Sequence, residues 1–378
     1  MAAIFETKQL RDFDWLTAFL AVAIVCFGIW QIYNAQPIYD SIYSSYWFKQ
    51  VIGLVIALVG MVIIAAMDYR RIIDAAPFIY AVGLILLILV LIPGLGVKVN
   101  GQRAWLAVPF IGRFQPSEFV KIPTVLMLAK YFGNRRDGSL RFKEIFIGAG
   151  ILILPVGLIL LEPDAGQVIT YFPLLAVVLF LSAVKIRYVI GVLLLSMLFI
   201  PLSYIIGINT GFIKGYQRER IEVILDPENA DPRGYGYHTF QSMITVGKGK
   251  LIGIQGDPET SQSVLKFLPE PHTDFIFAVT AENTGFVGCI SLLLAYALLL
   301  SRLVAGARDA PDKVAMLVIM AIVGGMTFQI FMNVGMVLGF LPVIGVPLPL
   351  MSAGLSAVLS TFIAIGFVIS IKMRRFVN

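Results

Sequence analysis

Three groups of polar residues in this chain have the types and spacing to do chemistry. The first, Pro269-Glu270-Pro271-His272-Thr273-Asp274, runs directly into the apolar stretch that begins at Phe275. Asp274, Ala278, Glu282 and Gly285 follow one another at helical spacing, so two carboxylates are expected along a single stripe. A carboxylate so placed can accept a proton from a reacting hydroxyl. Asp274 is equally explained as a helix N-cap, where the macrodipole favours a carboxylate. Capping explains neither Glu282 nor Asn283. The second group is Gln115-Pro116-Ser117-Glu118 with Lys121, in which Glu118 and Lys121 share a helix face. These two either neutralise each other or present charge to a ligand. The third, Glu162-Pro163-Asp164-Ala165-Gly166-Gln167, reads as a turn, but a turn does not call for two carboxylates, and Asp164 stays a candidate. His272 alone reads as a satisfied polar residue. With His238 as the second of only two histidines, no His-rich metal site can be assembled.

A long polar segment adds Tyr216-Gln217-Arg218, Arg220, Gly234-Tyr235-Gly236-Tyr237-His238, Gln241-Ser242 and Gly247-Lys248-Gly249-Lys250. Guanidinium and ammonium groups beside glycine-rich backbone suit phosphate or pyrophosphate oxygens. A solvated turn explains any one of these; together they describe an outward groove for a large anionic ligand. Arg103 and Trp105 belong to Asn100-Gly101-Gln102-Arg103-Ala104-Trp105, where Trp105 is either a substrate contact or a membrane-interface anchor.

The elements that must carry these residues follow from composition. Hydrophobic residues make up 58% of the 378 and charged residues only 14%, where about 25% charged is ordinary. So few charges cannot cover a water-soluble particle of this size, which excludes both a disordered chain and a soluble enzyme. The net charge of +6 is not gathered into a basic stripe with interleaved aromatics, so nucleic acid is not expected as a partner. Cys26 and Cys289 lie in apolar runs and indicate neither a disulfide framework nor a thiolate metal site.

Roughly twenty apolar residues cross a bilayer as helix, and ten spans are expected: 15–33, 48–67, 76–93, 117–132, 144–161, 168–183, 187–207, 275–303, 313–339 and 352–372. The first lacks a small-residue cleavage site and is expected to stay as an anchor. The fold class is therefore an all-α integral membrane protein, one polytopic domain over 1–378, with a large extracytoplasmic loop at 208–274 between helices 7 and 8. Lysine and arginine decide sidedness. Sixteen of them fall in the connections that share a side with the termini, while the opposite short loops hold only Lys98, Arg103 and Arg113. Both termini are expected in the cytoplasm and the candidate site on the outer face.

In order along nearly the whole chain, these residues resemble the shape, elongation, division and sporulation (SEDS) polymerases. The resemblance rests on Asp14-Trp15, Asn100 to Trp105, Gln115 to Glu118 with Lys121, Pro163-Asp164, the Arg220 region, Phe267 to Glu270 with His272 to Phe275, Ala281-Glu282, Asn333 to Met336 and Gly345 to Leu350. Gly236-Tyr237-His238 with Gln241-Ser242 is more similar to the RodA branch than to the FtsW branch. The sequence departs from the pattern at Ala104, Asn283 and Ser352 to Ser356. The resemblance implies a peptidoglycan glycosyltransferase that polymerises lipid II on the outer face of the bacterial cytoplasmic membrane and releases undecaprenyl pyrophosphate. It implies Asp274 as catalytic base, and a central cavity holding Glu118, Lys121 and Asp164. Arg103, Trp105, Arg220, His272 and Glu282 complete the substrate-binding candidates. It also implies divalent metal dependence, magnesium or manganese with ligands unassigned, a class B penicillin-binding protein as transpeptidase partner, and other membrane proteins of the elongation complex. The rival expectations are a transporter of the lipid-linked precursor, a division-type polymerase and a scaffold for the transpeptidase.

Overall fold

The computed structural model describes residues 12–35, 45–99, 102–108, 112–135, 142–182, 236–254 and 260–375. The expected span at 187–207, the loop residues 208–235 and Arg220 lie outside the described residues. Eleven helices and three strands occur among those described: α1 (Trp15–Asn34), α2 (Tyr46–Ala66), α3 (Tyr69–Asp74), α4 (Ala76–Leu91), β1 (Gly96–Val99), β2 (Gln102–Val108), β3 (Gly112–Phe114), α5 (Pro116–Gly133), α6 (Phe142–Leu161), α7 (Ala165–Leu181), α8 (Gly236–Lys248), α9 (Ile276–Arg308), α10 (Lys313–Val337) and α11 (Leu355–Met373).

Six of these are long and apolar enough to cross a membrane, namely α1, α2, α6, α9, α10 and α11, and α4 and α7 are apolar but shorter. The 18-residue α5 carries Glu118, Lys121 and Lys130, yet at 1.5 Å per residue it still reaches about 27 Å. Phe19, Phe78, Ile153, Leu294 and Phe331 face outward from the bundle. Such a surface aggregates in water and is ordinary in lipid. The chain is a multi-pass membrane protein.

Helix starts are fixed by carboxylates that cap orphan backbone N–H groups. Asp14 accepts from the Thr17 amide and hydroxyl at 3.2 and 2.7 Å, Asp164 from the Gln167 amide at 3.1 Å, and Asp312 from the Ala315 amide at 2.8 Å. The end of the bundle where α1 begins and α11 finishes, the terminal end, is tied by charge. Asp14 pairs there with Arg302 of α9 at 3.0 Å and with Lys372 of α11. Arg374 donates to the carbonyls of Ala65 and Ala66, which closes the last turn of α2.

The opposite, loop end departs from the all-helical expectation in three ways. Residues 96–114 form a three-stranded antiparallel sheet in the order β1-β2-β3, with Trp105 opposite Val97 and Arg103 opposite Lys98. Trp105 is thus a half-buried sheet residue. The segment read as a polar loop contains α8. It buries Gly236, Thr239, Ser242 and Thr245 against the bundle and turns Met243 and Ile244 outward, the reverse of a water-facing amphipathic helix.

The third departure concerns the expected stripe. Asp274 precedes α9, whose N-cap is Phe275 without a side-chain bond, and Gly285 breaks the helix at φ 65° and ψ −162°. Only Ala278 and Glu282 of the four stand in unbroken helix. The break leaves backbone groups that lipid cannot satisfy, and the turn after α8 supplies their partners. Phe286 N–H donates to Lys250 O at 2.9 Å, Val287 N–H to Leu251 O at 3.1 Å, and Ile254 N–H to Glu282 O at 2.8 Å. A Cβ on Gly249 would lie 1.7 Å from the Ala281 oxygen. The glycines of Gly247-Lys248-Gly249-Lys250 therefore include one that permits a backbone crossing, where the spacing had suggested a phosphate cradle.

Candidate functional site

At the loop end α5 and α7 bring one set of candidates together. Pro116 suits the first turn of α5, because its missing N–H would be unpaired there, and Glu118 and Lys121 then project from the same face. The Lys121 ammonium donates to Glu118 at 3.1 Å. Glu118 also accepts from the Gln167 side-chain amide, while the Gln115 amide donates to Asp164 at 3.0 Å. Glu118, Lys121 and Asp164 thus form one network. Its linking residues are two neutral amides, Gln115 and Gln167, that charge-based reading passed over. Their signal was their place beside Glu118 and Asp164, where an apolar span has no use for an amide. A cavity of about 70 Å³ opens beside Glu118 and Lys121, lined also by Thr170, Gln329, Ser360 and Thr361. The larger groove of about 430 Å³ between α1 and α2 is lined by Phe13, Trp15, Phe19, Met61 and other apolar side chains. It has no group that could bind or activate a polar substrate.

The α6–α7 turn carries its carboxylates in unusual states. Burial pushes Asp164 up to about 6, against the pull of the Gln167 N–H bond. Burial, with the Asp164 charge adding to it, pushes Glu162 up to about 8. Both Glu162 oxygens are buried without a hydrogen-bond partner among the described residues. Asp164 therefore has a place in the network, whereas Glu162 is held close to neutrality by its surroundings.

Asp274 is placed by a different device. Residues 272–274 form a non-helical strap, and the Asp274 side chain is half-buried. The Asn333 amide of α10 donates to the Asp274 carbonyl at 2.8 Å. Asp274 Oδ2 lies 3.2 Å from where a Cβ on Gly345 would stand, and Gly345 has φ 75°, so this wall is open only to glycine. On its other side Gly345 meets the α7 start, since a Cβ on Gly166 would lie 2.5 Å from the Gly345 oxygen. The turn that carries Asp164 and the strap that carries Asp274 thus lean on the same glycine.

The remaining candidates are placed as follows. His272 stacks on Tyr46 with ring centroids 3.7 Å apart, and burial lowers its basicity while Glu270, 3.8 Å away, works the other way. Arg103 donates to the Leu91 carbonyl at 3.2 Å, which caps the end of α4. Glu282 is fully buried and accepts from the hydroxyls of Ser261 and Ser263 and the amides of Gln262 and Ser263 at 2.6–3.3 Å. Its oxygens hold the 261–263 loop and are not presented to a ligand. Among the described residues no group of three or more Asp, Glu, His or Cys side chains could hold a metal ion. These residues offer no dedicated metal cage.

Membrane-spanning helices around a charged, amide-linked cavity, with a backbone-pinned carboxylate at one end, define a polytopic protein equipped for polar chemistry at a membrane face. The family model described as cell cycle protein, covering FtsW, RodA and SpoVE, matches residues 13–376, and the chain belongs to that family. It is 38% identical over 325 residues to the peptidoglycan glycosyltransferase MrdB of Escherichia coli K12, covering 85% of this chain and 84% of that protein. Two solved structures share the fold. One chain comes from a study of the structural coordination of polymerization and crosslinking by a peptidoglycan synthase complex. It has a TM-score of 0.80 and 32% identity over 97% of this chain and 99% of its own. The other, the rod shape determining protein RodA of Thermus thermophilus, has a TM-score of 0.70 and 29% identity over 97% and 98% of the two chains.

Proposed function

We propose that this chain is a peptidoglycan glycosyltransferase of the elongation type, polymerising lipid II into β-1,4 glycan strands and releasing undecaprenyl pyrophosphate. Asp274 is its base. The acceptor sugar's 4-hydroxyl gives its proton to the Asp274 carboxylate as its oxygen attacks the donor's anomeric carbon, and the pyrophosphate leaves from the opposite side. One displacement with inversion converts the α-linked donor into a β bond, so no covalent enzyme intermediate is required. Lys121, Arg103 and Arg220 are the cations proposed to stabilise the departing pyrophosphate. The observation that carries the reading is the strap, where Asp274 lies outside α9, its backbone held by Asn333 and its carboxylate against Gly345.

The protein works in the bacterial cytoplasmic membrane with both termini in the cytoplasm, following the lysine and arginine asymmetry, so the loop end faces outward. Its proposed partners are a class B penicillin-binding protein, which would crosslink the strands made here, and other elongation-complex membrane proteins. Activity is proposed to depend on a divalent cation, magnesium or manganese, which would neutralise charge on the departing pyrophosphate.

The test is polymerisation of labelled lipid II by the purified chain, alone and with the transpeptidase, for wild type and Asp274→Ala, with and without a chelator. Polymer from wild type and none from a folded Asp274→Ala is expected. Movement of labelled lipid across proteoliposomes with no polymer under any condition would replace this reading with the transporter.

A further inference from the structure

Carbonyls that precede a helix have no intrahelical role, and buried ones need partners from elsewhere. In the strap all three find them on α10 and on the segment between α10 and α11. The His272 carbonyl accepts from Ala353 N–H at 2.8 Å, the Thr273 carbonyl from the Ser352 hydroxyl at 2.6 Å, and the Asp274 carbonyl from the Asn333 amide at 2.8 Å. Asn333 is fully buried, and the same nitrogen donates to the Val346 carbonyl at 2.8 Å. Val346 adjoins Gly345, against which the Asp274 carboxylate lies. One neutral amide therefore fixes both the backbone that aims the carboxylate and the wall beside it. The holding segment is itself held, since Gln50 of α2 donates to the Ser352 carbonyl at 3.1 Å and accepts from Gly354 N–H at 3.0 Å.

We propose that Asn333 and Ser352 are positioning residues for the Asp274 base, fixing its carboxylate through the strap backbone without contacting substrate. A neutral donor aimed at a backbone carbonyl suits this task, because it sets position while leaving the net charge at the reacting centre unchanged. A misplacement of about 1 Å can cost about 100-fold in rate, so the effect should fall on turnover rather than on binding. This inference rests on the reading of Asp274 as base.

The experiment compares steady-state lipid II polymerisation by the full-length chain as wild type, Asn333→Leu, Ser352→Ala, Ser370→Ala and Asp274→Ala. Ser370 is the matched control. It is a buried serine whose hydroxyl donates to the Met67 carbonyl at 2.6 Å, at the terminal end. Asn333→Leu should lower kcat by about 10- to 100-fold and Ser352→Ala by about 10-fold, with KM within about twofold and Ser370→Ala unchanged in kcat. Should Asn333→Leu fail to fold, the contrast between the two serine variants carries the test. Wild-type kcat in Ser352→Ala, a raised KM at unchanged kcat, or equal losses in both serine variants would overturn the positioning role while an inactive Asp274→Ala left the base assignment intact. An active Asp274→Ala would instead remove the reading on which the proposal rests.

Discussion

The two ends of the bundle are held by different chemistry. At the terminal end charged side chains satisfy one another or cap carbonyls: Asp14 with Arg302 and Lys372, Arg135 with Glu144 at 3.0 Å, Arg374 on the α2 carbonyls. At the loop end the joints around Asp274 are neutral, built by Asn333, Ser352, Gln50 and backbone amides. Charge also serves structure at the loop end, where Glu282 clamps the 261–263 loop and Glu118 pairs with Lys121. The contrast teaches that charge by itself does not mark a working residue in a membrane.

Perturbing each end should separate stability from activity. The largest stability effect is expected for Asp14→Ala, which strands Lys372 and Arg302. Removing one partner of a buried pair costs about 3–5 kcal/mol, to be read as a lower unfolding midpoint with turnover of the folded fraction retained. Hydrogen bonds from Lys372 and Thr17 overcome burial and hold the Asp14 carboxyl down at about 2. Its lowered value means the stabilisation is complete above the ordinary carboxylate range and drains away as pH falls through that range toward 2. Retention of the midpoint at neutral pH in Asp14→Ala would break the contrast.

A smaller loss, about 2–3 kcal/mol, is expected for Glu282→Ala, which leaves donors of the 261–263 loop unpaired. Limited proteolysis should then cut near 261–263 faster, with KM for lipid II little changed. A large rise in KM without faster cleavage would restore Glu282 to substrate binding.

A pH-dependent effect is expected for Glu162→Gln. Because burial raises Glu162 to about 8, its neutral form favours the fold, so its contribution is complete at acid pH and lost as pH rises through about 8. Glu162→Gln should flatten the fall in melting temperature that runs from the ordinary carboxylate range up to about pH 8. An unchanged pH slope would show that Glu162 is ionised in the folded protein.

Much of this was legible in the sequence. Nine of the ten expected spans have counterparts among the described helices, because runs of apolar residues at membrane length admit little besides helix. Glu118 with Lys121, and Asp164 in its own group, were legible as candidates because charge within or beside a span demands an explanation, and the resemblance alone grouped the three. The sheet was missed because its strands of 3 to 7 residues are too short to show a pattern. The helix α8 was missed because its buried face is small and polar. The spacing of Gly236, Thr239, Ser242 and Thr245 was the available signal. The stripe from Asp274 to Gly285 failed because a glycine break and a strap replace regular helix, and helical spacing in sequence cannot reveal either. Asn333 and Gln50 were overlooked as positioning groups because their partners lie 59 and 302 residues away in the chain.

The most direct test of the central claim pairs two substitutions that each neutralise one carboxylate, Asp274→Asn at the loop end and Asp14→Asn at the terminal end. For each, polymerisation turnover and unfolding midpoint are measured on the same purified protein. A crossed result is expected, with Asp274→Asn losing turnover by about 100- to 10,000-fold, as when an acid–base group is removed, at an unchanged midpoint. Asp14→Asn should lose midpoint while its folded fraction turns over normally. Robust polymerisation by Asp274→Asn, or loss of turnover without loss of stability in Asp14→Asn, would contradict it.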